Sequence, residues 1–385
     1  VPDRRVAFAC GLVAIAASLI AVIAAISAQS WSITSLVRTA SDDPIAPLTR
    51  EIDPDFRFVD PGGHYDGSFF YAVAIDPLAR GEARGLIDRA AYRYAHPGYG
   101  WAAWILSVGR PTLVPLALFV IGLVSMGVAA ASAALIARRF GWSAWWGGLL
   151  IALNPGLIFS VTADTSEPIG LALAGLLILA WLNKRWVWVA VLSVALSLTK
   201  EPLMIVPVGL AFWELLRMRR GEVVADITQR VVAVGAGPVA FLLWNIYLRS
   251  RFGVWPSSQA ADLLSLPPFV GWVDTLSRAS DFARRGADPM QIGTFTLSVL
   301  PAIGVALLIG FFRAFKLRTF FDLMFIGFAL IVFSLNWLQL LNPKDLIREV
   351  ALAFAFLPAV LFVARPPPED ELATDSLAVR PRAGR

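Results

Sequence analysis

The run Asp60-Pro-Gly-Gly-His64-Tyr65-Asp66-Gly67-Ser68-Phe69-Phe70-Tyr71 sets an imidazole, a phenol and a carboxylate side by side in a chain that is otherwise largely apolar. Those three groups are the material of proton transfer and of polar-substrate binding. Three more polar knots interrupt the apolar sequence: Asp164-Thr-Ser-Glu167, Thr199-Lys200-Glu201 and Lys344-Asp345-Leu-Ile-Arg348. A soluble protein carries acids in loops at little cost, whereas a polytopic membrane chain that gathers them beside its spans usually has chemistry at the membrane surface.

What must position these residues follows from composition. With 57% hydrophobic residues, 14 Trp and 16% charged residues in 385, the chain reads as a helical membrane protein, since helices satisfy their own backbone groups in lipid. The mean hydropathy of +0.67 agrees. A single cysteine, Cys10, excludes an intramolecular disulfide and a Cys-based metal site. The net charge of +5 reads as membrane orientation and not as a nucleic-acid footprint, because the cations sit at span ends. Lysine is rare beside arginine and alanine is abundant, which suggests a GC-rich bacterial genome and places the chain in a bacterial plasma membrane.

About ten transmembrane helices are expected, at 6–28, 112–136, 143–162, 168–183, 186–199, 202–216, 230–249, 293–312, 320–340 and 348–364. The first run reads as a retained helix and not as a cleaved signal. The short runs 186–199 and 202–216 suggest a tight hairpin dipping into a cavity. Arg4-Arg5, Arg138-Arg139, Lys184-Arg185, Arg217 to Arg220, Arg313 to Arg318 and Arg365 fall on one side if both termini are cytoplasmic. Asp66, Asp164 and Glu167, Lys200-Glu201, and Lys344-Asp345-Arg348 then share the outer face.

The reading is an all-α polytopic domain over 1–365, with outer loops at 29–110 and 250–292 and a disordered cytoplasmic tail at 366–385. Within the first loop, 67–78 has the apolar spacing of a short amphipathic helix lying on the membrane, and a second short helix is expected near 85–94. Trp101 and Trp104 suit an interfacial belt, and the patch from Trp272 to Phe282 suits a cap over a lateral groove. Asp60 and Asp76 read as solvated loop acids.

His64-Tyr65-Asp66-Gly67 with Tyr71-Ala72, Ala95-His96-Pro97-Gly98-Tyr99, Asn154-Pro155-Gly156-Leu157-Ile158-Phe159 and Ser166-Glu167-Pro168 together resemble the PIG-V-like mannosyltransferases and, more broadly, the GT-C glycosyltransferases. The resemblance spans roughly residues 1–205. It implies a GT-C-like fold and transfer of a sugar from a polyprenyl phosphate to an envelope glycan or glycolipid acceptor on the extracytoplasmic face. Asp66 matches the family's first-loop acid, and Glu167 the acid that starts the fourth helix. The chain departs from the pattern where an Arg-Trp usually precedes the acid and His64-Tyr65 stands, and in the turn Thr199-Lys200-Glu201-Pro202. Sugar and acceptor therefore stay open, with mannose favoured and arabinose an alternative.

On that resemblance Asp66 is the general base, and one displacement inverts the anomeric carbon. Lys200 and Arg348, at outer helix ends, are the candidates for the departing phosphate. His64, Tyr65, Glu167 and Glu201 complete the expected substrate contacts. Each has a plainer alternative: Asp66 as a helix N-cap, His64 as a surface hydrogen bond, Glu167 as a complement to a helix dipole, Lys200 paired with Glu201, and Arg348 paired with Asp345 or Glu349. No cofactor or metal is expected, although Asp66 and Glu167 leave a divalent cation open. A different class, a transporter or flippase for a polyprenyl-linked lipid, uses the same charges as a gate. The oligomeric state is not legible.

Overall fold

A computed structural model describes residues 2–29, 31–222, 226–284 and 291–363, so the expected tail at 366–385 lies outside the described residues. Helix α1 (Pro2–Ser27) leads into a long segment that forms four short helices: α2 (Ala46–Ile52), α3 (Gly67–Ile75), α4 (Ala90–Tyr94) and α5 (Gly98–Leu106). There follow α6 (Val114–Arg139), α7 (Ala144–Ala152), α8 (Pro155–Thr162), α9 (Glu167–Leu182), α10 (Trp186–Thr199), α11 (Ile205–Arg219) and α12 (Ile227–Phe252). After a second long connection come α13 (Val270–Arg284), α14 (Ile292–Ala314), α15 (Phe320–Phe333), α16 (Trp337–Leu341) and α17 (Pro343–Phe362). Among the described residues there is no strand, and β-pairing is confined to isolated bridges.

The apolar helices mark a membrane protein. Four stretches are long and apolar enough to cross a bilayer: Arg4–Ser27, Pro111–Arg139, Ile227–Phe252 and Ile292–Ala314. The pair α7 and α8, bent by 44°, makes a fifth if it is one span. The bend has a local cause: Pro155 cannot continue α7, and Asn154 caps α8 by accepting from the Gly156 and Leu157 amides at 3.1 and 3.2 Å. Helices α9, α10 and α15, of 16, 14 and 14 residues, are about 21–24 Å long, short of the ~30 Å hydrocarbon core.

The first long loop is a packed cap and not a chain lying on the membrane. Seven of the nine residues of α3 are buried, so it is not the amphipathic surface helix expected of 67–78. A helix that is apolar nearly all round belongs inside. Tyr71 packs with Phe56, Tyr99 and the first turns of α6 around Leu118. Asp76, expected in solvent, is buried at the end of α3 and accepts from the Arg80 amide at 2.8 Å. Trp101 is likewise drawn inward, stacked edge-on against Trp244 and donating to the Pro77 carbonyl at 2.7 Å. Helices α10 and α11 do not form the expected tight hairpin, because each packs chiefly against other helices, α12 among them, and not against the other.

Two glycines fix the seams that bring the polar knots together. A Cβ on Gly67 would stand 2.6 Å from the Val37 carbonyl oxygen and 2.7 Å from that of Ala163, so three backbones meet there. One on Gly156 would stand 2.0 Å from the Ile347 carbonyl oxygen. The start of α3 is thereby held against the turn after α8, and the start of α8 against α17 beside Arg348.

Candidate active site

Asp66 sits at the N-cap of α3 but makes no capping hydrogen bond. Its Oδ2 accepts from Arg348 Nη1, and its Oδ1 from Arg93 Nη1 at 3.2 Å. Glu167, the first residue of α9 and 1% exposed, accepts from Lys200 Nζ at 2.5 Å and from Ser160 Oγ at 3.3 Å. Arg348 also donates Nη2 to Glu349 at 2.7 Å and holds Nε 3.8 Å from Glu167. Lys200 Nζ lies 3.9 Å from Glu349. Arg348, Glu349, Lys200 and Glu167 thus close a ring of alternating charge, with Asp66 and Arg93 joined to it through Arg348.

Charges out of water are tolerated when they are paired and hydrogen-bonded, which explains the alternation. Burial alone would push the Asp66 carboxyl up, but the guanidiniums of Arg348 and Arg93 outweigh it and hold it below the usual carboxylate range. Asp66 is therefore ionised at neutral pH. Asp164, one turn of chain before Glu167, shows the opposite balance. It is fully buried, neither oxygen has a hydrogen-bond partner, and burial pushes its carboxyl well up against the weaker pull of Arg38.

The network floors a small pocket, of about 60 Å³, walled by Phe69, Phe70, Tyr92 and His96. A pocket of similar size, about 70 Å³, lies between α6, α7, α9 and α17, but its walls are almost wholly aliphatic and aromatic and carry no acid or cation. Of these two pockets only the first is lined by charged side chains.

The fold brings Asp66, Glu167, Lys200 and Arg348 together, with the Tyr65 ring 5.0 Å from the Arg348 guanidinium and Glu201 beside the pocket-lining His96. Tyr65 is buried behind the pocket, donating its hydroxyl to Asp345 at 2.5 Å and lying edge-on to Phe159. Burial pushes its phenol up, so it stays a donor. Glu201 does not pair with Lys200; it turns toward His96, 3.8 Å from Nε2, at the rim. His64 points elsewhere, its Nδ1 3.0 Å from Asp43 Oδ2. Arg348 pairs with Glu349 as expected of the plainer reading, but with Asp66 as well.

Arg93 and Glu349 were not among the expected site residues. Arg93 stacks over the Phe69 ring at 3.6 Å and also reaches Asp88 at 3.3 Å. The available signal was its place between two tyrosines just before His96-Pro97-Gly98. Among the described residues no group of three or more His, Cys, Asp or Glu is arranged to hold a metal ion. The sequence matches no protein-family model, and no curated protein is significantly similar to it.

Proposed function

We propose that this pocket is the active site of a membrane glycosyltransferase of GT-C type, moving a sugar, mannose by preference, from a polyprenyl phosphate to an envelope glycolipid or polysaccharide. The observation that carries this reading is the direct ion pair between Asp66 and Arg348 at a pocket that also holds Lys200 and Arg93. A base and a phosphate clamp are the two parts the reaction needs.

In the reaction the acceptor oxygen forms a bond to the anomeric carbon as the bond from that carbon to the phosphate oxygen breaks. The acceptor proton passes to the Asp66 carboxylate, the bonding pair leaves with the polyprenyl phosphate, and the anomeric configuration inverts. Arg348 offers a fork and Lys200 a point charge to the leaving phosphate. The same pairing makes the base responsive to the donor. Arg348 is the strongest of the groups that hold the Asp66 carboxyl down. A phosphate that draws the guanidinium away leaves burial unopposed on that side, and Asp66 becomes more basic as the donor arrives.

Four helices, or five with the bent pair, are long and apolar enough to cross a bilayer; in the proposed orientation, with ten crossings and cytoplasmic termini, this pocket faces the extracytoplasmic side of a bacterial plasma membrane. The basic ends of α6 and the turn before α10, at Arg139 and Arg185, lie at the far end of α9 from Glu167, as the positive-inside rule requires of that orientation. The test is sugar release from synthetic polyprenyl-phosphate mannose and its arabinose analogue by purified protein with mixed envelope lipids. Transfer from either names the sugar. Donor that binds and is never consumed replaces this reading with lipid transport.

A further inference from the structure

A further pocket, of about 390 Å³, shares Phe69 with the charged one. Its size falls within the roughly 300–1,000 Å³ of small-molecule sites. Phe69 lines both pockets, and the Arg93 guanidinium lies on that ring with Asp66 on one side and Asp88 on the other. The two cavities therefore share one aromatic ring, and one cation links an acid of each.

Their chemistry differs. The first pocket is lined by Arg93, Lys200 and Arg348, whereas the second has no Lys or Arg among its lining residues and carries Asp43, Asp88 and His64 instead. An anion has nothing to meet there. Hydroxyl groups do: carboxylates accept from them, and the aliphatic walls at Leu86 and Ile87 suit the C–H face of a ring. His64 is fixed for such a role, since Asp43 Oδ2 at 3.0 Å and Ser68 Oγ at 3.5 Å both face its Nδ1. A Ser-His-Asp relay uses opposite ring nitrogens, so this is not one, and Nε2 is left for a ligand hydroxyl.

We propose that the pocket walled by Asp43, His64, Phe69 and Asp88 binds the neutral, hydroxyl-rich headgroup of the acceptor. This rests on the reading of the first pocket as the donor site. Asp66 and Phe69 stand three residues apart at the start of α3, on one face, so a hydroxyl that comes over Phe69 meets the Asp66 carboxylate. Arg93, paired with an acid of each cavity, is the partition between donor and acceptor.

Gly85 lines this pocket, and a Cβ there meets nothing within 4 Å, so Gly85→Phe adds bulk at its wall with no clash at the Cβ. Binding of butyl mannoside, glucoside and arabinoside, and separately of farnesyl phosphate, is to be measured by calorimetry on the full chain in nanodiscs. Wild type binds at least one glycoside; Gly85→Phe and His64→Ala weaken it about tenfold and leave farnesyl phosphate within about twofold. Lys200→Met does the reverse. Absence of glycoside binding by wild type, glycoside binding indifferent to both variants, or equal loss of both probes overturns the proposal. If a glycoside binds through these residues while farnesyl phosphate does not bind at all, the donor reading falls and the glycoside site stands.

Discussion

Arg348 lies directly on Asp66, 282 positions away in the sequence, and closes the bundle's last helix onto the first loop's acid. Neither residue is at ease alone: Arg348 is mostly buried, and Asp66 is partly so. The pair therefore links the fold to the proposed site, and changes on either side are expected to read out on both.

Substituting Arg348 separates charge from shape. Arg348→Lys keeps a cation but loses the fork, and farnesyl phosphate affinity is expected to fall about tenfold, by roughly 1.4 kcal/mol. Arg348→Met leaves Asp66 with Arg93 alone and Glu349 with the more distant Lys200, and is expected to cost about 3 kcal/mol of stability. Calorimetry and thermal unfolding in nanodiscs check both; equal phosphate affinity in wild type and Arg348→Lys contradicts the clamp.

Asp66, Glu167, Lys200 and Arg348 were legible because acids and cations at helix ends stand out by type in an apolar chain. Arg93 was not, since Arg80, Arg84 and Arg89 precede it in the same loop and only the packing of α4 selects the one that reaches Asp66. The burial of α3 was hidden for a related reason. Phe69, Phe70, Val73 and Ala74 give the spacing of an amphipathic helix, and the deciding signal was that Tyr71 and Ala72 fill the remaining face. Spacing also could not show that α10 and α11 seek other helices and not each other, because an apolar helix carries no label for its partner.

Lys200 and Glu167 are expected to be strongly coupled, given a 2.5 Å contact and a carboxylate that is 1% exposed. Lys200→Met alone should cost about 3 kcal/mol or more, and Lys200→Met with Glu167→Gln less than the sum of the single changes. A double-mutant cycle by denaturant unfolding measures this. Additive costs would mean that the pair does not interact.

The two acids on either side of the seam should respond to pH in opposite senses. Asp66 is held low when folded, so its stabilising contribution is full above the unfolded carboxylate value near ~3.9 and is lost as pH falls below that. Asp66→Asn should flatten the acid limb of the stability profile. Asp164 is pushed high when folded, so its contribution is present at low pH and is lost as pH rises through the folded value. Asp164→Asn should therefore raise the melting temperature at pH 7.5, and the gain should shrink toward pH 4. Parallel profiles for wild type and both variants would contradict these environments.

Gly67→Ala should act on the site through the backbone. Its Cβ meets two carbonyl oxygens at 2.6 and 2.7 Å, so the start of α3 must shift. The expected result is a loss of about 1–3 kcal/mol together with weaker farnesyl phosphate binding, since Asp66 moves with the turn and Arg348 moves with Asp66. A stable variant with unchanged binding would show that the seam does not position the acid.

The most direct test of the account is transfer from polyprenyl-phosphate mannose or arabinose by Asp66→Asn, measured beside wild type with donor binding followed on the same samples. Donor binding is expected to stay within a few-fold of wild type and turnover to fall by about 100-fold or more, the scale of a lost general base. Turnover equal to that of wild type in a folded Asp66→Asn protein would contradict it.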